Sequence, residues 1–84
     1  YLDSLGWALY RQKRYAQALP SLAEAADQLP ANSVVQDHLG DTLAALGRTV
    51  DAVAAWQRAL AGDRESIDAA AIERKIARAR GQGK

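Results

Sequence analysis

The chain has 84 residues and a formal net charge of +1, from 11 Lys and Arg against 10 Asp and Glu. That length holds at most one small domain, and so even a charge balance gives no overall field to draw nucleic acid or an anionic membrane. The lack of cysteine excludes disulfides and thiolate metal sites and leaves the compartment open, while no apolar run approaches the roughly 18 residues of a bilayer span. No Met occurs, even at position 1, so the chain reads as a piece of a longer protein.

Alanine is abundant, β-branched residues are sparse and Phe is absent, which favours helix throughout. Leu2, Leu5 and Leu9 recur at helical spacing and predict a first helix. Lys13-Arg14 separates it from a second, carried by Ala18, Leu19, Leu22, Ala25, Ala26 and Leu29. Pro20 falls inside that helix, removes a backbone donor and predicts a bend. Pro30-Ala31-Asn32 ends it. Ser33, with Gln36 three residues on, has capping-box spacing and predicts the start of a third helix, which Val35, Leu39, Leu43 and Leu46 continue. Gly47 suits a left-handed cap. Thr49 suits the N-cap of a fourth helix, with Val53, Trp56, Ala59 and Leu60 inward. Gly62-Asp63 ends it. Ser66 is the expected cap of a fifth helix running to Arg80, with Ile72, Ile76 and Ala79 inward and Arg74, Lys75, Arg78 and Arg80 largely outward. Gly81 to Lys84 reads as a frayed tail. No segment alternates as a strand would.

Sliding the sequence over itself by 34 residues places Asp3 on Asp37, Leu5 on Leu39, Gly6 on Gly40, Leu9 on Leu43, Arg14 on Arg48, Ala18 on Ala52 and Ala25 on Ala59. A fixed period in this range marks stacked helical hairpins. Small residues at matching phases, Gly6 with Ala18 and Ala25, Gly40 with Ala52 and Ala59, let antiparallel helices approach closely, with large Leu residues filling in beside them. The expected organisation is a first repeat over 1–30, a second over 31–62, a capping helix over 63–80 and a disordered tail over 81–84.

The stretch "LGWALYRQKRYAQALPSLAEAADQLP" resembles a tetratricopeptide repeat through Leu5-Gly6, Tyr15, Ala18, Leu22, Ala25 and the closing Pro30. "HLGDTLAALGRTVDAVAAWQRAL" resembles a second, through Leu39-Gly40, Gly47, Ala52, Trp56 and Ala59. It departs at its end, where Arg64 stands in place of the proline. The phrases "DSLGW" and "DHLGD" also look like the last repeats of long bacterial tetratricopeptide proteins, periplasmic or cytoplasmic. The resemblance implies an all-α, right-handed helical solenoid of two helix-turn-helix repeats plus a C-terminal capping helix. Its packing residues are Leu5, Gly6, Ala18, Ala25, Leu39, Gly40, Ala52, Trp56 and Ala59.

"QDHLGD", residues 36–41, holds the one histidine of the chain between two aspartates. A zinc site wants three or four ligands, usually from more than one element, and no second His or Cys exists to complete one. A His/Asp acid–base pair also needs a nucleophile or polarising group. The expectation is therefore no catalytic residue, no metal and no cofactor, with a metal-dependent enzyme as a minor rival. His38 is expected to pack near the neighbouring helix or to hydrogen-bond across the junction between repeats.

By resemblance, the first helix of each pair lines a concave groove. Asp3, Trp7, Asp37 and Asp41 fall on that lining, and Tyr10, Arg11, Val34 and Ala44 extend it. Trp7 and Tyr10 either pack on a preceding repeat or form a shelf for an apolar or cationic side chain. Trp56 reads as core. The best-known peptide-binding version of this fold grips a C-terminal carboxylate with cationic groove residues. Aspartates repel a carboxylate, so a neutral or basic protein or peptide segment is the expected partner. The basic last helix has interleaved acids and no aromatic, which speaks against nucleic acid. Non-catalytic protein binding is thus the expected function. A structural or self-associating module, dimerising through the face that carries Leu2, is the rival.

Overall fold

In the computed structural model, which describes residues 2–82 and side chains from Ser4 to Gly81, the apolar periodicity forms helices α1 (Leu2–Arg11), α2 (Tyr15–Gln28), α3 (Ser33–Ala45), α4 (Thr49–Ala61) and α5 (Ala69–Gln82). A single 3-10 turn, Arg64–Ser66, precedes α5. No strand occurs among the described residues. Each helix packs on the next in chain order, and α1 also meets α3, so two hairpins stack and α5 closes the second. The all-α helical-repeat expectation holds.

The 34-residue period is physical. Both hairpin turns place one residue in the left-handed region, Lys13 at φ 62° and Gly47 at φ 79°. Arg14 N–H donates to the Leu9 carbonyl at 2.9 Å, and Arg48 N–H to the Leu43 carbonyl at 2.9 Å. Glycine adopts that conformation freely, whereas Lys13 pays about 1 kcal/mol for it. The core repeats too. Ala18 and Ala52 are fully buried, Ala59 is fully buried and its counterpart Ala25 nearly so, and Leu22 and Trp56 fill the position between.

Close approach works differently from the expected one of small residue against small residue. The large side chain lies directly over the glycine. A Cβ on Gly6 would stand 2.5 Å from Cγ of Leu22, and one on Gly40 would enter the indole of Trp56. Leu5 also departs from its place among the packing residues. It is 41% exposed while Leu39, its repeat equivalent, is 6% exposed. Leu39 lies on α3 between α2 and α4, whereas Leu5 sits on α1, whose neighbours among the described residues are α2 and α3.

Three caps sit one to two residues from their expected places. Asn32, not Ser33, caps α3, its side chain accepting from Val35 N–H at 3.1 Å. Ser33 instead donates its Oγ–H to the Ala59 carbonyl at 2.6 Å, tying α3 to the end of α4. Gln36 spans Pro30, to whose carbonyl it donates, and Arg58, from which it accepts. The residue ahead of α4 is Arg48, with no side-chain cap, so Thr49 is the first helical residue. Ser66 lies in the 3-10 turn, and Asp68 accepts from Ala71 N–H at 3.1 Å at the head of α5. α2 runs through Pro20 as one helix to Gln28, with the ring on its exposed side. α5 runs past Arg80 through Gly81 to Gln82, so the helix reaches into the expected tail; the rest of that tail lies outside the described residues.

Candidate functional site: the face shared by α1, α3 and α5

The face-to-face rise of one helical turn puts Trp7 and Tyr10 together on α1, and Asp37 and Asp41 together on α3. The indole of Trp7 stacks on Tyr10, with centroids 4.5 Å apart at 8°, and on His38, 3.8 Å apart at 7°. Tyr10 in turn meets the edge of Tyr15 at 5.2 Å. His38 thus crosses the junction between repeats, as its place beside the groove row suggested, by ring stacking. Asp3 has its side chain outside the described residues.

The aspartates are not open to the groove. Lys75 Nζ, from α5, donates to Asp37 Oδ1 at 3.0 Å and to Asp41 Oδ1 at 2.9 Å. The same ammonium stands 5.9 Å from the Trp56 ring centroid, and the Trp56 indole N–H donates to Asp41 Oδ1 at 3.3 Å. This corrects the expectation that Lys75 faces outward with Arg74, Arg78 and Arg80. The physical reason is register. Trp7, Asp41 and Lys75 stand 34 residues apart, so α5 occupies the place of a third first-helix and aims that phase at the groove. The signal was present in the sequence but hidden by charge, because a lysine among arginines reads as solvated.

Electrostatics follow from partial burial. The Asp41 side chain is 15% exposed and that of Asp37 is 21% exposed. Burial raises the Asp41 pKa above its ordinary 3.8, outweighing the hydrogen bonds from Lys75 and Trp56, and the Asp37 charge adds to the rise. For Lys75, burial alone would lower the pKa. Hydrogen bonds to Asp41 and Asp37 outweigh it and hold the ammonium above 10.5. Tyr10 is raised above 10.0, by burial first and then by the Asp41 charge. All three groups bind their protons more tightly when folded than unfolded. The stability linked to Lys75 and Tyr10 is therefore full below pH 10.0 and is lost as pH rises through their folded values. For Asp41 the fold gains as pH falls through its folded value. The midpoint of urea unfolding should fall as pH is raised past 10.5, and Lys75→Met should leave only the Tyr10 part of that fall; an unchanged alkaline limb in Lys75→Met would contradict the assignment.

The groove residues do not share one place. Tyr10, Asp41 and Ala44 join Trp56 and Lys75 around a cleft of about 380 Å³, which Arg78 also lines. Val34 lies at the other end of α3, beside Asp63 and Ser66. Arg11 is exposed in the last turn of α1. Lys75, Trp56 and His38 are the site residues that sequence reasoning did not put in the groove. Among the described residues no group of three or more His, Cys, Asp or Glu is placed to hold a metal.

Two stacked hairpins with a shared 34-residue register, each with glycine under a large core residue, match a known pattern, and the family model of the tetratricopeptide repeat covers residues 9–76. The chain belongs to the tetratricopeptide repeat family. Comparison with curated proteins found no match, and neither did comparison with solved structures. Tetratricopeptide repeats are generally protein-interaction scaffolds, and the family is typically non-enzymatic. No described helix is long and apolar enough to cross a membrane.

Proposed function

We propose that this domain is a non-catalytic module that binds a protein or peptide segment along the face shared by α1, α3 and α5. The observation that carries this reading is the half-buried aromatic surface that two repeats build together from Trp7, Tyr10 and His38. Stacked rings present rigid apolar area at low entropic cost, the kind of surface that dominates binding energy. Asp37 and Asp41 share the single ammonium of Lys75, two carboxylates to one cation. That favours a neutral or basic segment over a terminal carboxylate. In this reading Trp7 and Tyr10 supply apolar area, Asp3, Asp37 and Asp41 supply charge, and Arg11, Val34 and Ala44 flank the segment.

Titrating a panel of labelled basic, neutral and acidic-tailed peptides against the domain tests the proposal. Basic or neutral members should bind best, and Trp7→Ala should weaken the best of them by about tenfold, the loss of about 1.4 kcal/mol that a moderate hot spot gives. Preference for the acidic tail would defeat the partner assignment. Binding that ignores Trp7→Ala would defeat the site. A self-associating module is the second reading, and the 41% exposure of Leu5 favours it. Sedimentation at rising concentration separates the two.

A further inference from the structure

We propose that α5 regulates this face as a built-in competitor: Lys75 fills the place of a partner's basic side chain between Asp37 and Asp41, and the groove takes such a partner there only when Lys75 swings away. The inference rests on the binding face assigned above and adds its control. Lys75 makes three contacts a bound basic residue would make, with two carboxylates at 3.0 and 2.9 Å and the Trp56 face at 5.9 Å. The helix that delivers it is held by other means. Ile72, Ile76 and Ala79 are buried in the core. A lysine is a point charge on a flexible four-carbon stem, so it can leave by rotation about its side-chain bonds while α5 stays packed. Its side chain is 35% exposed, so the path to water is already open. Once it leaves, two carboxylates one helical turn apart lose their shared cation, with only the Trp56 indole N–H still donating to Asp41, which favours another cation there. α5 also forms a wall of the cleft beside Tyr10 and Asp41, so it stands where a segment running along α1 and α3 would continue.

Occupancy in cis weakens binding in trans by the fraction of time the site is open. A site open one-tenth of the time binds about tenfold more weakly. The probe is an acetylated, amidated tetralysine peptide, titrated by calorimetry into the 84-residue chain. Lys75→Gln should bind it about tenfold more tightly than the wild type. Lys75→Arg, which keeps a tethered cation, should stay within about twofold of wild type. Arg74→Gln removes an equal charge from the exposed side of α5 and should also stay within about twofold. Adding Asp41→Asn to Lys75→Gln should erase the gain. Equal affinity for wild type and Lys75→Gln, equal gains in Arg74→Gln and Lys75→Gln, or no binding by either protein would each overturn the proposal.

If Lys75→Gln does not fold, the wild type still decides. The Lys75 ammonium resonance should move to its free position as tetralysine saturates the chain, and a bound peptide that leaves it unmoved overturns the proposal. The peptide panel judges the binding face separately. A panel member that binds through Trp7 with no change in Lys75→Gln leaves the face standing and removes its control.

Discussion

Gly40→Ala is expected to destabilise the domain by about 2 kcal/mol and to lower its melting midpoint by about 12 °C, given 4–8 °C per kcal/mol at this size. A Cβ at position 40 would enter the Trp56 indole, meeting Cδ1 and Nε1. Trp56 is 4% exposed, flat and held by its bond to Asp41, so the ring cannot swing aside. Forced overpacking of this kind costs about 1–3 kcal/mol, and the better helix propensity of Ala returns about 1 at most. Gly6→Ala makes the matching test in the first repeat. There the obstacle is Leu22 Cγ at 2.5 Å, and a branched aliphatic chain can adjust better than an indole, so the loss should be smaller. Gly47→Ala separates the mechanisms, since nothing lies within 4 Å of its Cβ but φ is +79°. Its cost is backbone strain alone, about 1 kcal/mol. Thermal melts of the three variants check the order, and a Gly40→Ala protein that melts with the wild type would mean the helices do not touch there.

What could be read in the sequence was the part the period governs. The positions of Gly6, Gly40, Ala18, Ala52 and Trp56 follow from helical phase, because a repeat must place the same size of residue at the same crossing. Turn chemistry at Gly47 was legible from glycine's freedom in the left-handed region, while its counterpart Lys13 gave no such signal. Caps were legible only to within a residue or two, since Asn32 and Ser33 are adjacent and either can accept from an early N–H. The structure separates them by giving Ser33 a tertiary partner, the Ala59 carbonyl. Long-range charge was the least legible. Lys75 lies 34 residues beyond Asp41, and its neighbours Arg74 and Arg78 are exposed. Composition alone assigns all three to solvent, and only the register singles out Lys75. Leu5 shows the limit of the period itself. The same residue type at the same phase is buried when a helix lies on either side, and half-open when one side is bare among the described residues.

Trp56→Ala is expected to cost about 4 kcal/mol, within the range for truncating a buried aromatic. A chain of this length has a total stability of about 4–13 kcal/mol, so the variant should be partly or wholly unfolded at 25 °C by circular dichroism. Its effect mixes two roles, because Trp56 fills the core between α3 and α4 and also floors the cleft under Lys75. Trp56→Phe divides them. It keeps an aromatic ring over Gly40 and removes the N–H that Asp41 accepts, for a loss of about 1 kcal/mol from the hydrogen bond. That bond is among the influences that lower the Asp41 pKa against burial, so the Asp41 pKa should rise further in Trp56→Phe, measurable by carboxylate NMR. Trp56→Leu rebuilds the Leu22 arrangement of the first repeat. In a Gly40→Ala background it should recover part of the Gly40→Ala loss, giving a coupling of about 1 kcal/mol or more between two residues in contact. Strict additivity would show that the glycine and the indole act independently, and the shared packing rule of the two repeats would fall with it.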